Sequence, residues 1–237
     1  VGGGALGVDD LRAGIARRFA TFNDAAGDID AGLFPVEQQL VDRHLQRGAR
    51  VLVVGSGTGR ELLSLQDRGC VVAGIDPSER ALAICRRHLQ QQGRHADLIH
   101  GFFEDTATPG PFDAVLLSYY CYSLIPMSAR RVAVLRKAVA ALAPGGRILL
   151  SYELERRPGP LLTTLARCSG VIARSDWRVE PGDLLQREPR GLPGIRYSYE
   201  HIFTPEELTA ELTAAGLVAI DHAGVPDYPW VVAAAPS

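Results

Sequence analysis

From residue 51 onward the chain alternates short, almost wholly apolar runs with stretches of helical period. Val51-Leu-Val-Val54, Val71-Val-Ala-Gly-Ile75, Phe112 to Leu117 and Arg147-Ile-Leu-Leu-Ser-Tyr152 read as strands. Asp97-Leu-Ile-His100 is a shorter one among them. Strands without polar alternation are buried on both faces, and the helices between them are the cover. One helix follows Gly59 with Leu62, Leu63 and Leu65; another opens at Asp76-Pro77 and runs through Leu89. A third, Ala129 to Leu142, carries Val132, Leu135 and Val139 on one face before Pro144-Gly-Gly146 breaks it. This order predicts an α/β fold, a doubly wound and mostly parallel sheet.

The flanks differ. Residues 1–48 read as an N-terminal helical segment, with Leu11, Ile15, Phe19 and Phe22 in one helix. A second starts near Pro35, carries Val36, Leu40, Val41 and Leu45, and is predicted to end at Gly48. The main domain is then 49–237. Within it, 155–196 is rich in Arg, Pro and Gly, with only a modest helix at Pro160 to Arg167. That stretch reads as an insertion that covers one edge of the sheet. Tyr197 to Phe203 alternates like a strand, and Thr204-Pro-Glu-Glu207 is a capping box for a helix that ends at Gly216. Leu217 to Ile220 and Trp230 to Ala234 are the last strands.

Composition narrows the function classes. With 46% hydrophobic and 22% charged residues in 237, the chain has material for a full core and does not read as disordered. A net charge of −2 gives no basic footprint for nucleic acid or an anionic membrane, so neither is expected as a partner. No apolar run reaches the roughly 18 residues that would span a bilayer. The four cysteines, Cys70, Cys85, Cys121 and Cys168, show no zinc or disulfide spacing, and the start lacks a secretory pattern. A cytoplasmic protein with reduced thiols is expected.

The chemistry concentrates in Gly55-Ser-Gly-Thr-Gly59, between a strand and a helix. Glycines allow positive φ and close approach to a ligand, and the helix start offers free N–H groups. Asp76 follows Gly55 by twenty-one positions, at the end of the second strand. A carboxylate there can accept both hydroxyls of a ribose. Its competing role is to cap the next helix, since Asp76-Pro-Ser-Glu79 is itself a capping box. A dinucleotide fingerprint would need glycine at position 60, where Arg60 stands, and this weighs against NAD.

These stretches resemble, in order and spacing, the motifs of class I S-adenosylmethionine-dependent methyltransferases. Val51 to Glu61 is similar to their first motif, Gly74-Ile-Asp-Pro-Ser78 to the second, Phe112 to Leu117 to the fourth-strand motif, and Leu142 to Leu150 to the turn into strand five. Phe203 to Leu208 is similar to the helix before the final strand pair. The resemblance covers about three quarters of the chain. It implies a Rossmann-like seven-stranded sheet with the last strand antiparallel, an N-terminal lid that includes Phe19 to Asp24, and S-adenosyl-L-methionine as cofactor. S-adenosyl-L-homocysteine would be the product. Gly55, Ser56, Gly57 and Gly59 would approach the methionine part and ribose, and Asp76 with Pro77 would hold the ribose side. Phe102 stands where an aspartate commonly accepts from adenine. Adenine would then meet Phe102, the Phe103 backbone N–H and an apolar wall; whether Glu104 substitutes as acceptor is open. Ser118 and Tyr119 fall where the ammonium and methyl group lie.

The implied function is transfer of a methyl group to a small-molecule acceptor, with oxygen or nitrogen favoured over carbon. The alternatives are a relative that uses the cofactor for cyclisation or rearrangement, and a silent binding module. Tyr119 and His201 are the candidate catalytic residues. His201 shares one face of its strand with Tyr197, Tyr199 and Phe203, and histidine has the intrinsic pKa of a base. Arg156, Arg157, Arg174 and Arg178 could pair an acidic acceptor. No metal cluster is expected. The oligomeric state is open, and a homodimer is compatible with the sequence.

Overall fold

A computed structural model of the chain describes residues 6–22, 31–154, 159–187 and 197–236. Seven strands form the main sheet: β1 (Arg50–Val54), β2 (Val71–Asp76), β3 (Asp97–His100), β4 (Phe112–Leu117), β5 (Leu142–Ser151), β8 (Val218–Val225) and β9 (Tyr228–Ala234). Their spatial order is β3-β2-β1-β4-β5-β9-β8. The first five are parallel, and β9 runs antiparallel to both of its neighbours. This is the Rossmann-like arrangement that the motifs imply. The strand order reverses between β1 and β4, and such a switch point opens a crevice at the carboxyl ends of the strands.

Alternation along β1 feeds two cores. Leu52 and Val54 pack on one face of the sheet with helix α5 (Ser128–Ala141) and helix α7 (Pro205–Ala214). Val51 and Val53 pack on the other with α2 (Pro35–His44), α3 (Arg60–Asp67) and α4 (Glu79–Gln91). Leu52 is fully buried, and truncating such a leucine to alanine costs about 2–5 kcal/mol. A third core stands apart. Val8, Leu11 and Ile15 of helix α1 (Val8–Phe22) meet Trp177, Val179 and Tyr199.

Several boundaries depart from the sequence expectation. Helix α2 stops at His44, because Leu45 is already extended, and Gly48 (φ +87°) makes the turn into β1 instead. Strand β5 begins at Leu142, before the Pro-Gly-Gly break. Phe112 pairs with Leu142 and Ala114 with Arg147, so the break is absorbed as a bulge. The described part of 155–196 holds more regular structure than the sequence suggests. Helix α6 extends over Pro160–Ile172, and β6 (Asp183–Arg187) pairs antiparallel with β7 (Tyr197–His201). Tyr197–His201 is thus a strand, but of a separate two-stranded sheet. Among the described residues no helix is long and apolar enough to cross a membrane.

Candidate active site

The glycine loop leaves β1 at the switch point. The Gly55 and Ser56 N–H groups donate to the Ile75 carbonyl, at 2.8 and 3.1 Å, which binds the loop to β2. Gly55 has φ +75°, and a Cβ there would overlap Cys121 Sγ. Gly59, at φ +102°, begins α3 with its Cα against α4, where a Cβ would sit 2.7 Å from Cys85 Sγ. Gly55, Ser56 and Gly57 line a cleft of about 1110 Å³, including its mouth, and Gly59 does not. Its glycine therefore serves the tight entry to α3 and the packing behind it.

Asp76 is 4% exposed and lines the same cleft. Its Oδ2 accepts the Gly57 N–H at 2.9 Å, and its Oδ1 accepts the Ser78 N–H at 2.8 Å. The cap of α4 is Ser78, whose hydroxyl accepts from the Ala81 N–H. Asp76 itself stays in β2, so the capping box read from the sequence starts two residues too early. Burial raises its carboxyl to about 6, opposed by the two N–H groups. Each oxygen keeps a lone pair for a further donor.

On the side of β3, Pro77, Gly101, Phe102, Phe103 and Glu104 line the cleft. The Arg12 guanidinium of α1 lies 4.1 Å over the Phe102 ring. Glu104 accepts from Arg130 at 2.7 Å, and Arg12 Nε stands 3.5 Å away. Glu104 is therefore engaged by two arginines, which competes with the acceptor role suggested for it. Phe103 belongs both to the wall and to the central core. Arg12, Ile15 and Phe19 put one face of α1 over the cleft. Asn23 and Asp24 of the expected lid lie outside the described residues, as do Arg156 and Arg157.

Beyond β4 the backbone turns sharply, with Tyr119 and Tyr120 at φ +50° and +61°. Tyr119 is 37% exposed at the mouth. Its ring meets Phe34, Tyr120 and Tyr228 at centroid distances of 6.4, 5.8 and 6.4 Å. Ser118 is fully buried and does not line the cleft, because its hydroxyl donates to Glu61. Glu61 does line it, and so does Arg60. Arg60 binds Glu37 with both nitrogens, at 2.7 and 2.9 Å, and Glu61 at 2.6 Å. Tyr228 donates to Glu37 at 2.6 Å. The sequence reading used Arg60 only as evidence against a dinucleotide and missed this cluster. The one signal was a charged pair, Arg60-Glu61, in the first turn of a helix otherwise facing the core.

His201 lies elsewhere. It is 1% exposed and outside the cleft, with Nδ1 2.7 Å from Asp183 Oδ1 and Nε2 3.4 Å from Arg131. Its strand pairs with β6, not with the main sheet, and its ring meets the edge of Phe203, which stacks on Tyr122. This placement does not support it as the base. No metal cluster was expected, yet Glu180, Asp183 and His201 bring donor atoms within 4.8 Å of one another. Those atoms already hold protein partners, including Arg131 at 2.9 Å from Glu180 and Tyr199 at 2.8 Å from Asp183.

The chain matches the family model of a methyltransferase domain over residues 51–146. It is 29% identical over 201 residues to a ubiquinone biosynthesis O-methyltransferase of Xanthomonas euvesicatoria pv. vesicatoria, covering 84% of this chain and 75% of that one. A solved S-adenosylmethionine-dependent methyltransferase from Methanosarcina mazei superposes with a TM-score of 0.64 at 20% identity, over 85% of this chain and 97% of the other. A glycopeptide N-methyltransferase in complex with S-adenosylmethionine gives 0.60 at 20% identity, over 84% and 86%. The residues of this cleft fit such a cofactor. Asp76 has lone pairs for ribose hydroxyls, Phe102 offers a ring face beside it, and the buried Ser56 hydroxyl has no partner among the described residues.

Proposed function

Because this chain belongs to the class I S-adenosylmethionine-dependent methyltransferases, we propose that it methylates an oxygen of a small-molecule acceptor. When bound, the cofactor supplies a methyl group already activated on a sulfonium. The protein must align that group with the acceptor and exclude water. Asp76, fixed by Gly57 and Ser78, is suited to hold the ribose hydroxyls. Phe102, clamped under Arg12, gives adenine a flat apolar surface. The helix α1, through Ile15 and Phe19, keeps water from that end.

The reading rests above all on one observation: the buried Asp76 carboxylate is pinned to a positive-φ glycine loop at the switch point of this sheet. The choice of oxygen draws on the O-methyltransferase named among the relatives. Tyr119 faces the mouth on a strained turn, where its ring can bear on the acceptor. Of the side chains that line the cleft, Tyr119 carries the phenol, which suits it to orient an acceptor hydroxyl. Four unpaired thiols suit a cytoplasmic setting.

Incubation with methyl-labelled S-adenosylmethionine and a panel of phenols, catechols and primary amines tests this. Label in a methyl ether with matching S-adenosylhomocysteine supports the proposal. Label confined to amines, or cofactor consumed without methyl product, overturns it.

A further inference from the structure

Three charged side chains gather at the loop end of the cleft, away from solvent. Glu37, Arg60 and Glu61 are all buried. The guanidinium serves Glu37 with two hydrogen bonds and Glu61 with one. One positive charge therefore faces two carboxylates. Ser118 and Tyr228 add hydroxyl donors to the carboxylates but no charge. Asp76 is the next acid along the cleft and brings no cation either.

Such a cluster is short of one positive charge, and a buried carboxylate without a full counter-charge is costly. Burial accordingly pushes the Glu61 carboxyl up from the ordinary carboxylate range, against the pull of Arg60. Arg60 and Ser118 both bind Oε1 of Glu61, and Oε2 takes no hydrogen bond from another described side chain. The Ser56 hydroxyl, from another lining residue, is buried toward Gly74 of β2 and plays no part in this cluster. Glu61 thus keeps one oxygen for a ligand donor.

Resting on the cofactor reading above, we propose that Glu61 is the counter-anion for the α-ammonium of the bound amino-acid moiety, a role the sequence had suggested for Ser118. Ser118 acts through Glu61: its hydroxyl is spent in fixing the carboxylate, so it is a positioning residue. The Arg60–Glu37 pair holds Oε1 from the other side and leaves Oε2 for the ligand. The charge of the cluster then closes when an ammonium group enters, and the site favours ligands that carry one.

The test compares two ligands on the full chain by calorimetry. S-adenosylhomocysteine carries the ammonium; 5′-methylthioadenosine keeps the adenosyl thioether and lacks the amino acid. Glu61→Gln keeps the shape of the side chain and removes its charge. It is expected to weaken S-adenosylhomocysteine binding by at least about tenfold, the scale of a charge-assisted hydrogen bond, and to leave 5′-methylthioadenosine binding unchanged. Ser118→Ala, which removes only the positioning bond, should give a smaller loss with the same ligand selectivity. Unchanged S-adenosylhomocysteine affinity in Glu61→Gln overturns the assignment. An equal loss for both ligands also overturns it, because that reports a damaged cleft. If the wild-type protein binds neither ligand, the cofactor reading fails and this inference with it.

Discussion

Asp76 Oδ2 accepts the Gly57 N–H at 2.9 Å, so the acid that ends β2 holds the loop that leaves β1. The same carboxylate binds the Ser78 N–H through Oδ1. Loop shape thus depends on this side chain, and under the proposed function ligand recognition depends on it too. Asp76→Ala should lower S-adenosylmethionine affinity at least about tenfold, measured by calorimetry. It should also cost about 1–3 kcal/mol of stability, since the buried Ser78 N–H and the part-buried Gly57 N–H lose their acceptor. Unaltered affinity would remove Asp76 from the cofactor site.

The pH dependence of stability follows from the same group. Burial raises the Asp76 carboxyl from 3.8 to about 6. Between those values the native state binds more protons than the unfolded chain, so stability from this group falls as pH rises. Its contribution is fully present below about pH 4 and is lost through about pH 6, on the order of 3 kcal/mol. Asp76→Asn does not titrate. Urea unfolding of both proteins should show wild type losing stability relative to Asp76→Asn across that window, with a constant difference above about pH 7.

Arg60 is the sole cation of its buried cluster among the described residues, so its removal is costly. Arg60→Met leaves Glu37 and Glu61 without a counter-charge, and a loss of about 3–5 kcal/mol is expected. Arg60→Lys should recover little of it, because an ammonium cannot reproduce the two-pronged bond to Glu37. Urea midpoints of the two variants check this. Near-wild-type stability in Arg60→Met would mean that both carboxyls are protonated in the native state.

His201 offers a clean contrast with its sequence expectation. Asp183, its partner, also accepts from Trp177, Tyr199 and the Glu180 N–H. His201→Ala should destabilise the fold by about 1–3 kcal/mol while turnover per folded molecule and its pH profile stay as in wild type. A large fall in kcat with an unchanged melting temperature would restore it as a base.

Tyr119 is expected to act on the acceptor alone. Tyr119→Ala should raise KM for the acceptor several-fold and leave the Kd for S-adenosylhomocysteine unchanged. Tyr119→Phe separates ring from hydroxyl: retained KM with lowered kcat points to the phenol. Steady-state kinetics beside calorimetry reads both.

The sheet was legible because continuous apolar strands need cover on both faces, and Val51 to Val54 offers no polar position to face solvent. The loop and Asp76 were legible because their chemistry is local in sequence. The Arg60–Glu37–Tyr228 cluster was not, since Glu37 and Tyr228 are 191 positions apart and meet only through the fold. Arg12 of α1 carries no sequence signal either. It stands on the polar flank of α1 and gains its role from Phe102, which arrives after β3. His201 misled because alternation places side chains on a face but does not say which sheet the strand joins. Its pairing with β6 depended on Asp183 to Arg187, a segment with charge at both ends and no period-2 pattern.

The small core shared by α1 and the β6–β7 sheet couples the start of the chain to the segment that follows β5. Val8, Leu11 and Ile15 rest on Trp177 and Tyr199, not on the main sheet. Helix α1 and the β6–β7 sheet are consequently one packed unit. Anyone grafting residues 159–201 from a cousin with another acceptor preference must transplant 8–22 as well, or Leu11 will confront a foreign surface.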